Sequence, residues 1–433
     1  MSNYSLTLFG SISKKAYRTL IQKIFISFCC YNISSSFTTS HQFFIKYGHY
    51  WEKDYLRHVK SQINAFLNCG NLAFAKATFG CDCGLVAYRP VSCKSRFCPS
   101  CAANSSTNWA NTLSDEFIEK KHRFILFSIH PKLEKFLFNH REIYGELSWI
   151  INKLFKSFFK YNSTVKKFKI TDFGLISFIH TFGRASNFNL HFHVILTEGG
   201  FDSKGKWHSV NFFPYQKFKN DWHNEVIKLL KRKFPNDINL KNMIKLCSNN
   251  DKHLFIDVKG KPVKNNKNLI KYLGRYLARP AIAEYRIISY DGKFVKFWYK
   301  DVETKEKEIL ELPLFEFMFR IIQHIPPKNL KLVRRYGVYS RRIKKKLKEV
   351  LKTLKNSRLF KIKPTRWDKR IENWQGKNPL VCPRCNNFNI KFIITSRIIS
   401  FINFIFDFRK NCRKIFNNPS INNCIANFNS SFR

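Results

Sequence analysis

The chain has 433 residues and carries 77 Lys and Arg against 29 Asp and Glu, a formal net charge of +48 at pH 7. Its 44% hydrophobic and 16% aromatic content is too apolar for a disordered basic tail, which excludes disorder as the main state. A/T-rich codon usage accounts for much of the Lys, Asn, Ile and Phe but not for the scarcity of acids. The surplus cations therefore point to a polyanion partner, with nucleic acid ahead of a membrane surface.

Residues 1–48 are rich in Ser and Phe without a clear period, and 389–433 alternate Ile and Phe with Asn and Ser; both ends read as peripheral. The longest apolar stretches are interrupted, at Lys23 and at Arg397 and Asp407, and none reaches the roughly 18 residues of a membrane span. The first also lacks a small-residue cleavage site. A soluble, cytoplasmic chain is expected, with the 13 cysteines serving as metal ligands before disulfides.

Trp51, Tyr55, Val59, Ile63 and Phe66 have helical spacing and lead into a cysteine block with few large aliphatics, which cannot hold itself together by burial. Cys81 and Cys83, then Cys93, then Cys98 and Cys101, with Cys69 upstream, are spaced to wrap tetrahedral Zn²⁺. The C-P-S-C half is the stronger signal. The tighter C-x-C half predicts that Cys69 or Cys93 completes its site, and six cysteines serve two sites if His49 or His58 joins them. Cys382 and Cys385 form a second knuckle, C-P-R-C, without an evident partner pair.

Beyond the block, strand-like runs at 124–129, 175–180, 190–197 and 294–299 alternate with helical stretches such as 147–159, an α+β pattern. Asp291-Gly292 between two such runs predicts a two-residue hairpin turn with positive φ at both positions. In 190–196 the two histidines His191 and His193 lie two residues apart, so in a strand both rings leave one face, an arrangement able to hold a metal. The polar loop 183–189 would return the preceding strand and bring His180 to the pair as a third ligand. Glu198-Gly199-Gly200 is expected to leave the sheet. Residues 268–278 have helical periodicity and place Tyr272 and Tyr276 between an apolar stripe and a basic stripe of Lys271, Arg275 and Arg279. From 320 to 377 the chain is dense in Lys and Arg, including Arg334, Arg335, Arg341 and Arg342.

Four stretches in this order, S-C-K-S-R-F-C-P-S-C (92–101), H-T-F-G-R with L-H-F-H-V-I-L-T-E-G-G (180–200), K-Y-L-G-R-Y-L-A-R-P-A-I-A (271–283) and Q-H-I-P with R-R-Y-G (323–337), resemble the two-tyrosine HUH transposases of the insertion-sequence ninety-one family. The resemblance covers about 50–385. It implies an HUH endonuclease antiparallel sheet flanked by helices, preceded by a small zinc-binding domain and followed by a basic helical region. The division it suggests is 1–48 unassigned, 49–121 zinc-binding, 122–300 catalytic, 301–380 basic and 381–433 knuckle and tail.

It also implies Mg²⁺ or Mn²⁺ on His191 and His193, with His180 joining them from the strand reading alone, nucleophiles at Tyr272 and Tyr276 that form 5′-phosphotyrosine links, and structural Zn²⁺ on the cysteines. The basic residues named above would hold DNA, mainly single-stranded element ends and target, beside host replication machinery in a bacterial nucleoid. Leu190 stands where the family often has Pro, and C-x-C replaces the more usual C-x-x-C. The unmatched ends suggest an extended or frame-shifted reading. A plasmid replication initiator or relaxase uses the same chemistry, and a remnant that binds DNA without cutting it is the non-enzymatic rival.

Overall fold

A computed structural model of the chain describes residues 24–25, 39–72, 75–95, 97–98, 101–102, 105, 117–118, 120–161, 169–248, 256–257, 281–301, 303–340, 368–369, 372, 376 and 378–397. These residues fall in two units, one drawn from Leu67–Cys93 and Trp367–Arg433, the other from Arg18–Phe66 and Lys94–Arg366.

In chain order the helices are α1 (Thr39–Tyr47), α2 (Lys53–Leu67), α3 (Pro131–Asn139), α4 (Tyr144–Tyr161), α5 (Tyr215–Lys233), α6 (Ile238–Ser248) and α7 (Leu314–Ile322). The strands are β1 (Ala75–Gly80), β2 (Val86–Pro90), β3 (His122–Ser128), β4 (Asp172–Phe182), β5 (Phe188–Phe201), β6 (Trp207–Ser209), β7 (Ile256–Asp257), β8 (Ile287–Tyr290), β9 (Phe294–Lys300), β10 (Lys307–Pro313), β11 (Val333–Gly337) and β12 (Lys391–Arg397). The chain is α+β, as its pattern predicts, with every strand pair antiparallel among the described residues.

The larger unit is organised by a six-stranded sheet in the order β11-β4-β5-β3-β7, with β6 on β5. Strand alternation gives it two faces. One carries Ile125, Phe127, Leu175, Ile179, Leu190, Phe192, Val194 and Leu196 into a core shared with α3 to α6. Helix α4 meets it with Leu147, Ile150, Ile151, Leu154, Phe155 and Phe159, all buried and spaced three and four apart as one helical stripe. Trp222 of α5 packs its ring edge-on to Phe127 (centroids 5.3 Å apart) and donates its indole N–H to Ser128 O at 2.8 Å. His130 caps α3 by accepting from Lys132 N, and Pro131 follows at a position where a missing N–H is harmless.

The other face carries Phe124, Ile176, Phe178 and Ile195, also buried, and the three histidines. A second sheet of order β10-β9-β8 leads into α7. The β8-β9 turn differs from expectation: positive φ occurs at Gly292 alone (99°), because Asp291 accepts from the backbone N–H groups of Lys293 and Phe294 at 2.8 and 2.7 Å. The carboxylate supplies locally what a second left-handed residue would otherwise provide.

Two segments read as peripheral are built in. Phe43 of α1 is fully buried, packing edge-on to Phe315, while Tyr47 stacks on Phe319 at 4.9 Å. These are aromatic anchors rather than a periodic stripe, which is why periodicity missed them. Likewise β12 pairs with β1 along its length. The segment Val333–Gly337, read as part of a basic helical region, is instead β11, a strand of the main sheet.

The glycine of R-R-Y-G has a steric reason. Gly337 holds φ at +56°, and a Cβ there would lie 1.7 Å from Phe173 O. Gly337→Ala is expected to lower stability by about 2 kcal/mol or more, read as a shift of the urea midpoint.

Candidate functional site

His180 and His191 stand directly opposite each other across β4 and β5, and His193 lies one pleat further on the same face. Their ring centroids are 5.4 Å (180–191), 4.5 Å (180–193) and 4.8 Å (191–193) apart. The coordinating nitrogens of all three lie within 4.8 Å of one another. The register brings them together: β5 must return on β4 through a loop short enough to pair Phe182 with Phe188.

Hydrogen bonding fixes the tautomer of His191. Its Nδ1 lies 2.9 Å from Asn189 O, and a carbonyl only accepts, so Nδ1 carries the proton and Nε2 presents a lone pair. That Nε2 is 3.1 Å from His193 Nε2, the spacing of adjacent ligands on an ion whose bonds are about 2.1 Å long. Asn189 holds the ring from both its backbone and its side chain, since its Oδ1 lies 3.0 Å from the same nitrogen. Three imidazole nitrogens so placed fit a divalent cation.

Behind the cluster, His324 of Q-H-I-P donates Nε2–H to Ser186 O at 3.0 Å and faces Thr181 Oγ1 with Nδ1 at 3.1 Å. Burial pushes its pKa down to about 3, the bond to Ser186 opposing and the Arg141 cation adding to the effect. With an unfolded value of 6.5, the unfolded chain binds the extra proton between these limits. Stability is therefore complete above pH 6.5 and falls towards pH 3 with a slope approaching ~1.4 kcal/mol per pH unit from this group. Urea midpoints measured from pH 7 to 4 are expected to lose that increment of slope in His324→Gln.

The glycines after the histidine strand do not leave the sheet. Gly199 and Gly200 lie inside β5, paired with Ser209 and His208 of β6, and Glu198 is held by Arg123 at 2.7 Å. A Cβ on Gly199 would lie 2.2 Å from His208 O, so close approach of a neighbouring strand, not flexibility, requires glycine there. The histidine cluster lies near the opposite end of β5.

Arg334 and Arg335 part company. Arg334 sits opposite Ser177 on the helix side, with its guanidinium against Gly145 of α4. Arg335 sits opposite Ile176, on the histidine face. Tyr272, Tyr276, Lys271, Arg275, Arg279, Arg341 and Arg342 lie outside the described residues.

Among the cysteines of the smaller unit, Cys81 and Cys83 face Cys382 and Cys385, with two Sγ···Sγ separations of 3.6 Å. This corrects the expectation that Cys69 or Cys93 completes the C-x-C site, and it supplies the partner pair that C-P-R-C lacked in the sequence. In the same unit Cys93 N–H donates to Cys69 Sγ at 3.4 Å. In the larger unit Cys98 and Cys101 are buried, and Ala102 N–H donates to Cys98 O at 2.8 Å. His49 and His58 join neither pair: His58 donates to Pro326 O at 3.1 Å and His49 packs on Tyr50.

Comparison with known proteins gives this geometry its setting. Residues 41–129 match the family described as "Transposase zinc-binding domain", and residues 174–346 match the family described as "Putative transposase". Both matches are to families of transposases. It is 25% identical over 312 residues to "Transposase for insertion sequence element IS801" of Pseudomonas savastanoi pv. phaseolicola, a match covering 69% of this chain and 74% of that protein. It is 20% identical over 341 residues to "Putative transposase y4qJ" of Sinorhizobium fredii, covering 73% and 84% respectively. No solved structure matches. As a transposase the chain acts on DNA, which accounts for its cationic excess. No helix among the described residues is long and apolar enough to cross a membrane. The zinc-binding match spans all six cysteines of the block from Cys69 to Cys101.

Proposed function

We propose that this transposase nicks and rejoins single-stranded DNA at element ends by a rolling-circle route, using His180, His191 and His193 to hold Mg²⁺ or Mn²⁺ and Tyr272 and Tyr276 as nucleophiles. The observation that carries the reading is the convergence of the three imidazoles on one sheet face, within a family match that also spans both tyrosines. When bound, the ion supplies Lewis-acid polarisation of a phosphoryl oxygen. Three neutral ligands leave its charge uncompensated, so tight binding is expected to await phosphate oxygens from DNA.

The tyrosine phenol oxygen bonds to phosphorus as the bond to the 3′ oxygen breaks, and the proton given up by the phenol balances the one the 3′ oxygen gains. The products are a 5′-phosphotyrosine and a free 3′-OH; attack by a 3′-OH on that link regenerates the tyrosine, so no ATP is needed. An unperturbed phenol has a pKa near ~10, and Lys271, Arg275 and Arg279 would supply the positive charge that favours phenolate and neutralises phosphate. Arg335, Arg341 and Arg342 would grip the backbone, while Arg334 would brace β11 on α4. Host replication would provide the displaced strand, in the bacterial cytoplasm at the nucleoid.

The test is to mix the full chain with labelled single-stranded element ends, with and without Mn²⁺, and to resolve the products under denaturing conditions. Metal-dependent nicking with label retained on protein is expected; DNA binding without cleavage in any divalent ion overturns the reading. Asn189→Ala deletes the Oδ1 contact but keeps the backbone carbonyl, so it is expected to raise the Mn²⁺ concentration for half-maximal nicking by only about two- to threefold, well below the loss of a whole outer partner, with little change at saturation.

A further inference from the structure

The smaller unit joins stretches of chain some 300 residues apart around four cysteines: Cys81 meets Cys385 at a sequence separation of 304 and Cys83 meets Cys382 at 299. All four Sγ atoms lie within 4.8 Å of one another. A disulfide needs sulfurs about 2.05 Å apart, so separations of 3.6 Å are not disulfides. Four thiolates placed tetrahedrally around Zn²⁺ with bonds of about 2.3 Å have edges of about 3.8 Å, close to what is observed.

Both pairs sit on metal-knuckle turns. On the N-terminal side Gly84 N–H returns to Cys81 O at 2.9 Å, Gly84 takes φ +82°, and Cys81 N–H donates to Leu85 O. On the C-terminal side Asn386 N–H returns to Cys382 O at 2.8 Å, Asn386 takes φ +55°, and Cys382 N–H donates to Asn387 O. Each turn thus ends in a left-handed residue and folds its backbone N–H groups around the sulfurs. Lys391 reaches Asp82 at 3.1 Å, and Arg384 donates to Cys83 O at 3.4 Å, placing cations beside a site that would carry a net negative charge.

Among the described residues of this unit the core is small: the three-stranded sheet, order β12-β1-β2, leaves Val86, Tyr88, Phe392, Ile393 and Ile394 exposed, and a fold of so little buried apolar surface gains most from a metal cross-link.

We infer that Cys81, Cys83, Cys382 and Cys385 form a second Zn²⁺ site, separate from the metal of the N-terminal zinc-binding family match, that ties the C-terminal segment into the cysteine block. It is independent of the nuclease reading, since its readout is metal content. The C-P-R-C knuckle and β12 are then integral to a folded unit, and removing them strips an N-terminal pair of its metal.

The test measures zinc per chain by elemental mass spectrometry on the full-length protein and three variants: Cys81→Ser/Cys83→Ser, Cys382→Ser/Cys385→Ser, and all four together. Each is expected to lose one ion relative to wild type, the fourfold variant losing no more than either pair. Unchanged zinc in either pair variant, or loss of two ions in the fourfold variant with one in each pair, overturns the inference. Alkylation of the wild-type protein during slow chelation removes dependence on folding of the variants. The four thiols are expected to become reactive in one phase; labelling of Cys382 and Cys385 while Cys81 and Cys83 stay protected contradicts a shared ion.

Discussion

Replacing His191 and His193 together by alanine is expected to lower metal-dependent nicking of single-stranded DNA by about a thousandfold or more, the scale of losing several kcal/mol of charge stabilisation at phosphorus. The two nitrogens are 3.1 Å apart, so each is useful chiefly with the other, and either single variant should approach the double one. Zinc content should stay at the wild-type level, because the cysteines are distinct from the histidine cluster. Retained DNA binding with the same salt dependence would show that the loss belongs to catalysis, since phosphate contacts by Lys and Arg set the salt slope. Nicking at the wild-type rate in the double variant would remove the histidine face from the mechanism.

The second large effect concerns the tyrosines. Tyr272→Phe and Tyr276→Phe keep the aromatic volume and delete only the phenol oxygen, so packing is disturbed little while the nucleophile vanishes. Each single variant is expected to retain one cleavage and lose the linked second one, yielding nicked DNA but no rejoined circle or transferred strand. The double variant is expected to yield no cleavage above background. Quantifying nicked and joined products on the same gel separates these outcomes. A double variant that still nicks would transfer the chemistry to water or another side chain.

How much of this was legible beforehand follows the range of the signal. The histidine pair was readable because strand periodicity acts over two residues, and His180 was reachable because one short loop returns β4 to β5. Helix α4 was readable because its stripe repeats within its own length. The partner of C-P-R-C was not, since no local rule links positions about 300 residues apart; only the folded register of β12 on β1 does. Phe43 was missed because its burial depends on Phe315 and Trp51, contacts that leave no period. Gly199 was misread because a glycine needed for close strand approach looks, in sequence, like one needed for flexibility. Arg334 and Arg335 look equivalent in a basic run, yet adjacent strand positions point to opposite faces.

The most direct measurement traps full-length protein on 5′-labelled and internally labelled single-stranded element ends with Mn²⁺, digests it with protease, and locates the nucleotide-bearing peptide by mass spectrometry. The account predicts a phosphodiester link on Tyr272 or Tyr276, absent in the His191→Ala/His193→Ala variant. Cleaved DNA bearing a free 5′-phosphate with no linked peptide, or a link on any other residue, would contradict it.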